Sequence, residues 1–485
     1  VRNLLPVSIV TVYMLLLYVI AWYATKLSRA GGGKGFFLAG RGFSSWIIAV
    51  MLCGLAVGGA STVGVAQSAY TSGLSAGMYN AAWAAGAIVC GLLAARRLRN
   101  MMVYTLPEFL ERFYGRSARV IGVIGQLIVV LTIVSLQYVA GGAILTALLP
   151  DVFSFNEGML VTAVAFVGIC IIGGYWAAGL SNLVNVIVIY IGLVLGAWAV
   201  VDTAGGLEAI RLALPETKWF SLVEGMGWAP IIIWFTVMIT HVIGGQGPVQ
   251  VAFAAKDGQA ARWGFILGGL MILPAGFISA IFGITAAMQA PGLANSAMAL
   301  PTVVLQQSQF VGGIVLAGLW AADVSTAVGL LLGAATMISR DIIVPLQTTR
   351  LDKKKEMFLS RFLVLLVAVI TLLMAMHVRS VLGTIMIGLS LTAPFTVILL
   401  GSFFCPRLCR KSTAFWCLAA GVLIILLWQF GTGQLMDDMR KMFKHVIYPE
   451  CIASVVIFLL ASVLDKRKCA IPDDYAREQV QTEDS

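Results

Sequence analysis

Residues 319–329 read LWAADVSTAVG. They lie inside an apolar run from Val311 to Ile338 that is long enough to cross a bilayer. In such a run Asp323, Ser325 and Thr326 need a reason. A charged side chain at mid-bilayer costs at least ~2.5–3.5 kcal/mol on insertion scales. Groups of this kind face a bundle interior or a cavity, where they mark ion or substrate pathways. On a helix, Ala322, Ser325 and Thr326 are three and four residues apart and share one face. Two hydroxyls and a carbonyl are hard oxygen donors, suited to a small alkali cation. The competing reading is local, because Ser and Thr in membrane helices also bond back to carbonyls one turn earlier.

A second stretch bears on the choice. Residues 44–70 read SSWIIAVMLCGLAVGGASTVGVAQSAY, with Gly54, Gly58, Gly59 and Ala60 at the centre and Ser61 and Thr62 just after. Small residues allow close helix packing. Glycines also let a helix open, and opened backbone is tolerated in a membrane only where it is buried in protein or lines a cavity. Two polar, small-residue spans far apart in sequence favour a broken helix whose carbonyls complete an ion site.

The rest of the chain fits a membrane bundle. Of its 485 residues, 60% are hydrophobic and only 11% charged, against about 25% charged in soluble domains. Thirteen apolar spans are expected, near 5–26, 45–70, 77–96, 118–148, 158–178, 181–201, 228–252, 262–289, 310–338, 358–377, 381–404, 413–431 and 447–464. With the N-terminus outside, 25 of the 32 Lys and Arg fall inside. The positive-inside rule therefore predicts N-out and C-in. The same distribution accounts for the net charge of +10 without a nucleic-acid partner. A single transmembrane domain is expected over 1–465, with a polar cytoplasmic tail over 466–485.

Enzyme chemistry finds no anchor. GGGKG at 31–35 lacks the Ser or Thr that must follow the lysine of a phosphate loop, and reads as a linker. The three histidines, His241, His377 and His445, are too far apart for a metal-ligand pattern. The eight cysteines are scattered, and the lone C-x3-C of Cys405 and Cys409 has no second ligand pair.

As an ordered set, several stretches resemble the sodium:solute symporters, the group that includes bacterial proline, pantothenate and galactose carriers. They are FFLAGR (36–41), SAYTSGLSAG (68–77), YTLPEFLERFYG (104–115), GGYWAAGLSNLVNVI (173–187), the KDG of 256–258 and ADVSTAVGLLLGAATMISRDI (322–342). The resemblance covers about residues 10–465. It implies an all-α fold of the LeuT type, a 5+5 inverted repeat. The first repeat would span 45–201 and the second 228–404, with two additional helices over 413–464.

The resemblance also implies a Na+ site built from the carbonyls of Gly54, Val57 and Ala322 and the hydroxyls of Ser325 and Thr326. Carried over position by position, the solute would meet residues drawn from Ser61, Tyr79, Asn80, Trp83, His241, Gln246, Gln250 and Trp320. Asn185 stands where the family often has Asp, which weakens any second sodium site there. Sugar-bonding positions are unmatched, so a pantothenate-, carboxylate- or amino-acid-like solute is expected. Asp323 is unexplained by the resemblance; it either tunes the cation or takes a proton, or serves as an interhelical partner. The expected function is Na+-coupled import of a small polar solute across the cell inner (plasma) membrane. Two alternatives stay open: proton coupling through Asp323 or His241, and a non-transporting sensor with a carrier fold.

Overall fold

The computed structural model describes residues 4–30, 41–103, 105–343, 353–378, 380–469 and 471. Within its helices, the side chains of 171–181 and of Ser325, among others, lie outside the described set. So do the linker 31–35, most of FFLAGR and the tail from 472.

Secondary structure among the described residues is helical apart from two isolated β-bridges. Backbone polar groups cannot face lipid unpaired, and a helix pairs them internally. The expected spans fall on α1 (Leu4–Ala30), α2 (Ser45–Ala56), α3 (Val65–Ser72), α4 (Met78–Leu93), α5 (Arg116–Leu148) and α6 (Phe155–Thr203). They continue with α7 (Trp228–Gly244), α8 (Gln246–Phe253), α9 (Gly258–Gln289), α10 (Gln309–Met337) and α11 (Lys353–Ala375). The series ends with α12 (Val381–Ser390), α13 (Thr392–Phe404), α14 (Thr413–Phe430) and α15 (Ile447–Leu464). By length and apolar composition, seven described helical segments can cross a membrane alone, or nine if each bent pair is one span. Other expected spans coincide with shorter apolar helices such as Leu5–Ile20, Ser45–Ala56, Phe155–Gly168 and Phe362–Ala375. The outer surface is apolar: Val12, Val19, Trp198, Val369 and Val463 are all well exposed. That is the surface a bilayer requires.

Two expected spans, 158–178 and 181–201, run together as the single 49-residue helical segment α6. Straight, it would reach about 73 Å, more than twice a bilayer core. Its ends nevertheless meet the same end of the bundle. Phe155 packs against the cluster of Val63, Ala140, Ala143 and Ala297, and Thr203 hydrogen-bonds Gln307, a short distance along the chain from Ala297. Thr162 bonds Trp320 while Val188 touches Gly318, so both arms lie on one stretch of α10. The chain therefore reverses between Cys170 and Asn182 and gives two antiparallel arms.

α9 runs alongside α2 and antiparallel to α4. Gly264 and Gly268 meet Ile48 and Leu52, while Gly276 and Gly269 meet Asn80 and Ile88. Small residues on one helix let two neighbours approach it closely. The letters GLSAG at 73–77 also spell G-x-S-x-G. They form a short 3-10 turn between two helices, with Ser75 buried and bonded to the Ser72 carbonyl. A nucleophile elbow needs a strand-to-helix turn, so these residues carry no hydrolase site.

Two spans are interrupted. α2 ends at Ala56 and resumes through a π-turn, Ala60–Gly64, into α3. α7 and α8 meet at Gly245 with a bend of 45°. One end of each broken span is tied to the other by a parallel bridge. Phe43 N–H donates to the Ala254 carbonyl at 3.2 Å, and Lys256 N–H donates to Phe43 at 2.9 Å. A third bend, of 40°, separates α12 from α13.

Candidate functional site at two helix breaks

The first break follows from its glycines. Gly has the lowest helix propensity after Pro, and two stand in sequence at 58 and 59. Val57 leaves the helical region at φ −91°, ψ 73°. The Gly59 N–H, which in an unbroken helix would close onto Leu55, donates instead to Gln137 Oε1 at 3.0 Å. Local hydroxyls take up other groups: Ser61 donates to the Ala56 carbonyl at 2.5 Å and Thr62 to Gly58 at 3.0 Å.

α10 packs against this opening. Thr326 Oγ1 donates across the interface to the Gly54 carbonyl at 3.2 Å. This hydroxyl reaches the neighbouring broken span rather than only the preceding turn of its own helix. Gly58 makes the approach feasible, since a Cβ there would lie 3.0 Å from Thr326 Oγ1. Gly54, Val57, Ala322 and Thr326 are all buried here. The side chain of Ser325 lies outside the described residues. On the other side of Gly54 stands the buried Asn182, 2.9 Å from where a Cβ would be.

The second break is pinned from the same helix as the first. Gln126 Nε2 donates to the Gly244 carbonyl at 2.8 Å, and its Oε1 accepts the Gln246 N–H at 2.9 Å. One side-chain amide thus spans the gap between α7 and α8, as a peptide group would. Gln246 in turn accepts the Leu106 N–H at 2.9 Å. Gln126 and Gln137 stand about three helical turns apart on α5, on one face. Neither was singled out from the sequence. The available signal was polar residues inside an otherwise apolar span.

Between the breaks lies a partly open cleft. Tyr79, Trp83, His241 and Gln246 line it, and so do Ala56, Gly58, Gln137 and Thr326 of the first break. Trp83 Nε1 donates to the Tyr79 hydroxyl at 3.4 Å. Its ring stands edge-on to His241, with centroids 5.3 Å apart. Val129, Val130 and Ile133 of α5 supply an apolar wall, with Ile385 and Leu389 of α12.

The other expected solute residues lie elsewhere. Ser61 is bonded within its own helix. Asn80 faces α9, where its Nδ2 donates to the Ile272 carbonyl at 3.3 Å. Trp320 bonds Thr162 of α6 at 3.3 Å. Gln250 sits on α8, outside the cleft lining. Asn185 accepts the Tyr13 hydroxyl at 2.8 Å and so ties α1 to α6. Asp323 is buried behind the first break and does not line the cleft.

The family model of the sodium:solute symporter family matches residues 36–421. The sodium/glucose cotransporter 4 of Danio rerio is 23% identical over 528 aligned positions, covering 97% of this chain and 80% of the relative. A sodium/proline symporter of Staphylococcus aureus is also 23% identical, covering 94% of this chain and 92% of its own. In three dimensions the chain superposes on a substrate-bound, outward-open Na+-coupled sialic acid symporter with a TM-score of 0.80. That match covers 97% of this chain and 100% of the other at 14% identity. A nucleobase-cation-symport-1 transporter in a closed state gives 0.59 at 15% identity, covering 88% of this chain and 93% of that one. At these identities the structural likeness speaks for the fold alone, that of a LeuT-type carrier.

Proposed function

The chain belongs to the sodium:solute symporter family, and on that premise we propose that it imports a small polar organic solute, driven by Na+, through alternating access. It is a multi-pass membrane protein and a Na+-coupled solute symporter, not an enzyme. Our reading assigns the ion to the first break. There the carbonyls of Gly54, Val57 and Ala322 and the hydroxyls of Ser325 and Thr326 supply oxygen donors of the kind an alkali cation takes. The observation that carries this is the Thr326–Gly54 hydrogen bond, which brings a hydroxyl of α10 and a carbonyl of α2 together. A cation held by both would clamp α2 to α10.

Coupling follows from shared residues. Gly58 and Thr326 border the ion site and also line the cleft. A cation that fixes them prepares the solute site, and by linkage the solute must raise cation affinity equally. The repeats over 45–201 and 228–404 would then rock about the fixed site, with the N-terminus outside, the C-terminus inside and the protein in the plasma membrane.

The solute meets Tyr79, Trp83, His241 and Gln246 in this reading. Among the described lining residues none is Lys or Arg. A solute carboxylate would be balanced by the co-bound Na+ and by ring N–H groups, not by a fixed side-chain cation. That favours a zwitterionic, amino-acid-like solute over an anion of the pantothenate type.

Uptake into proteoliposomes, screened over such solutes, tests the reading. Accumulation should require an inward Na+ gradient and vanish when K+ replaces Na+. Accumulation that ignores Na+ contradicts it, and binding without flux would point to a sensor.

A further inference from the structure

Asp323 is fully buried, and neither of its carboxylate oxygens has a hydrogen-bond partner among the described residues. No ion pair reaches it among those residues either. A carboxylate in such a place is strongly unfavourable unless it is paired or coordinates a metal. Its surroundings are specific. A Cβ on Gly59 would lie 2.9 Å from Asp323 Oδ1 and 3.3 Å from Gln137 Oε1. The two oxygens therefore converge on one point of the opened backbone. The Gln137 amide is also fixed in orientation. Its Nε2 donates to the Ile133 carbonyl at 3.1 Å, and its Oε1 accepts the Gly59 N–H at 3.0 Å. An oxygen, rather than an N–H donor, is thus turned toward the break that Asp323 faces.

We propose that Asp323 and Gln137 form a second cation site, separate from the one at Thr326. Successive residues of the break place the two apart. Gly58 faces Thr326 Oγ1, whereas Gly59 faces Asp323 Oδ1. Gln137 Oε1 lies close to both glycines, 3.0 and 3.3 Å from their Cβ positions, and it lines the cleft. It therefore links the sites and marks the route by which an ion reaches the second. The donors are hard oxygens with a single carboxylate. Calcium sites gather more oxygen ligands, commonly several carboxylates, and magnesium keeps several waters. A monovalent, sodium-sized ion fits this set. A second coupled ion would square the dependence of solute accumulation on the Na+ gradient. The proposal rests on the symport reading only for the identity of the ion.

The test counts ions on purified full-length protein by equilibrium binding of radioactive 22Na+, without any solute. At a 22Na+ concentration between the wild-type Kd and a Kd about 10-fold weaker, the wild type should hold close to two ions per chain, Asp323→Asn close to one, Thr326→Ala close to one, and the double variant close to none. The Thr326→Ala result stands even where Asp323→Asn fails to fold, because one retained ion already requires a second site. A wild type that binds one ion, lost in Thr326→Ala and untouched in Asp323→Asn, overturns the second site and leaves the first intact. A wild type that binds no Na+ overturns both.

Discussion

The hydroxyl of Thr326 and the carbonyl of Gly54 are joined across two helices by a 3.2 Å hydrogen bond, although they are far apart in sequence. The contact sits where α2 opens, and Gly58 leaves room for it. Removing the hydroxyl should therefore act on sodium. Thr326→Ala is expected to raise the Na+ concentration for half-maximal uptake about 10-fold, the scale of ~1–3 kcal/mol for a lost polar partner. Thr326→Ser, which keeps the oxygen, should stay within about 3-fold, less than 1 kcal/mol. Solute uptake titrated against Na+ at fixed membrane potential reads both.

The glutamines of α5 should behave as pins for the breaks. Gln126→Leu orphans the Gly244 carbonyl and the Gln246 N–H, and Gln137→Leu orphans the Gly59 N–H. Each orphaned buried group costs about 1–3 kcal/mol, so the first substitution should be the more destabilising. Gln126→Glu keeps an acceptor for Gln246 but cannot donate to Gly244, and should fall between wild type and Gln126→Leu. Thermal unfolding of the detergent-solubilised protein gives the order. A flat series would remove Gln126 from this role.

Glycine substitutions separate tight positions from open ones. A Cβ at Gly59 would lie 2.4 Å from the Cβ of Ala140, which has no flexible end to move. Gly59→Ala should sharply reduce folded protein. Gly329, on α10 near Thr326, has nothing among the described residues within 4 Å of its Cβ position. Gly329→Ala should be tolerated and even firm the helix by roughly 1 kcal/mol. Yield and melting temperature of the two variants, measured side by side, check this.

Cleft residues should move solute affinity and spare sodium. Trp83→Ala removes an aromatic wall beside His241 and Tyr79. It is expected to raise the solute KM at least 10-fold, in the range of 1.4 kcal/mol or more, with the Na+ response nearly unchanged. Trp320→Phe removes a bond to Thr162 on the far side of α10. It should leave the solute KM alone. Equal effects of the two substitutions would put the solute elsewhere.

The break in the first of the interrupted spans was legible because part of its cause is local: the glycine pair at 58–59 is followed directly by Ala60, Ser61 and Thr62 in an apolar stretch. A glycine pair alone is not enough, since those at 141–142, 268–269 and 312–313 lie inside unbroken helices. The face shared by Ala322 and Thr326 follows from helical spacing alone. What completes the site is not local. Gln137 and Gln126 reach backbone groups 78 and 118 residues away, and no spacing rule reports such a partner. Asn80 shows a second limit. One residue is about 100° on a helix, so Tyr79 can face the cleft while its neighbour turns to Ile272. Trp320 failed to meet the cleft for the same reason, since its neighbours on α10 decide which way it points. The doubling back of α6 was expected as two spans, and it emerges from what the two arms touch.

The claim that Na+ is held between α2 and α10 is tested most directly by melting the purified protein across a Na+ titration, with K+ making up the ionic strength. Ligand that binds only the folded state at 100 times its Kd adds about 2.7 kcal/mol. The wild type should therefore melt at steadily higher temperature as Na+ replaces K+, and Thr326→Ala should need at least 10-fold more Na+ for the same rise, about 1.4 kcal/mol. Identical Na+ dependence in wild type and Thr326→Ala would contradict the site.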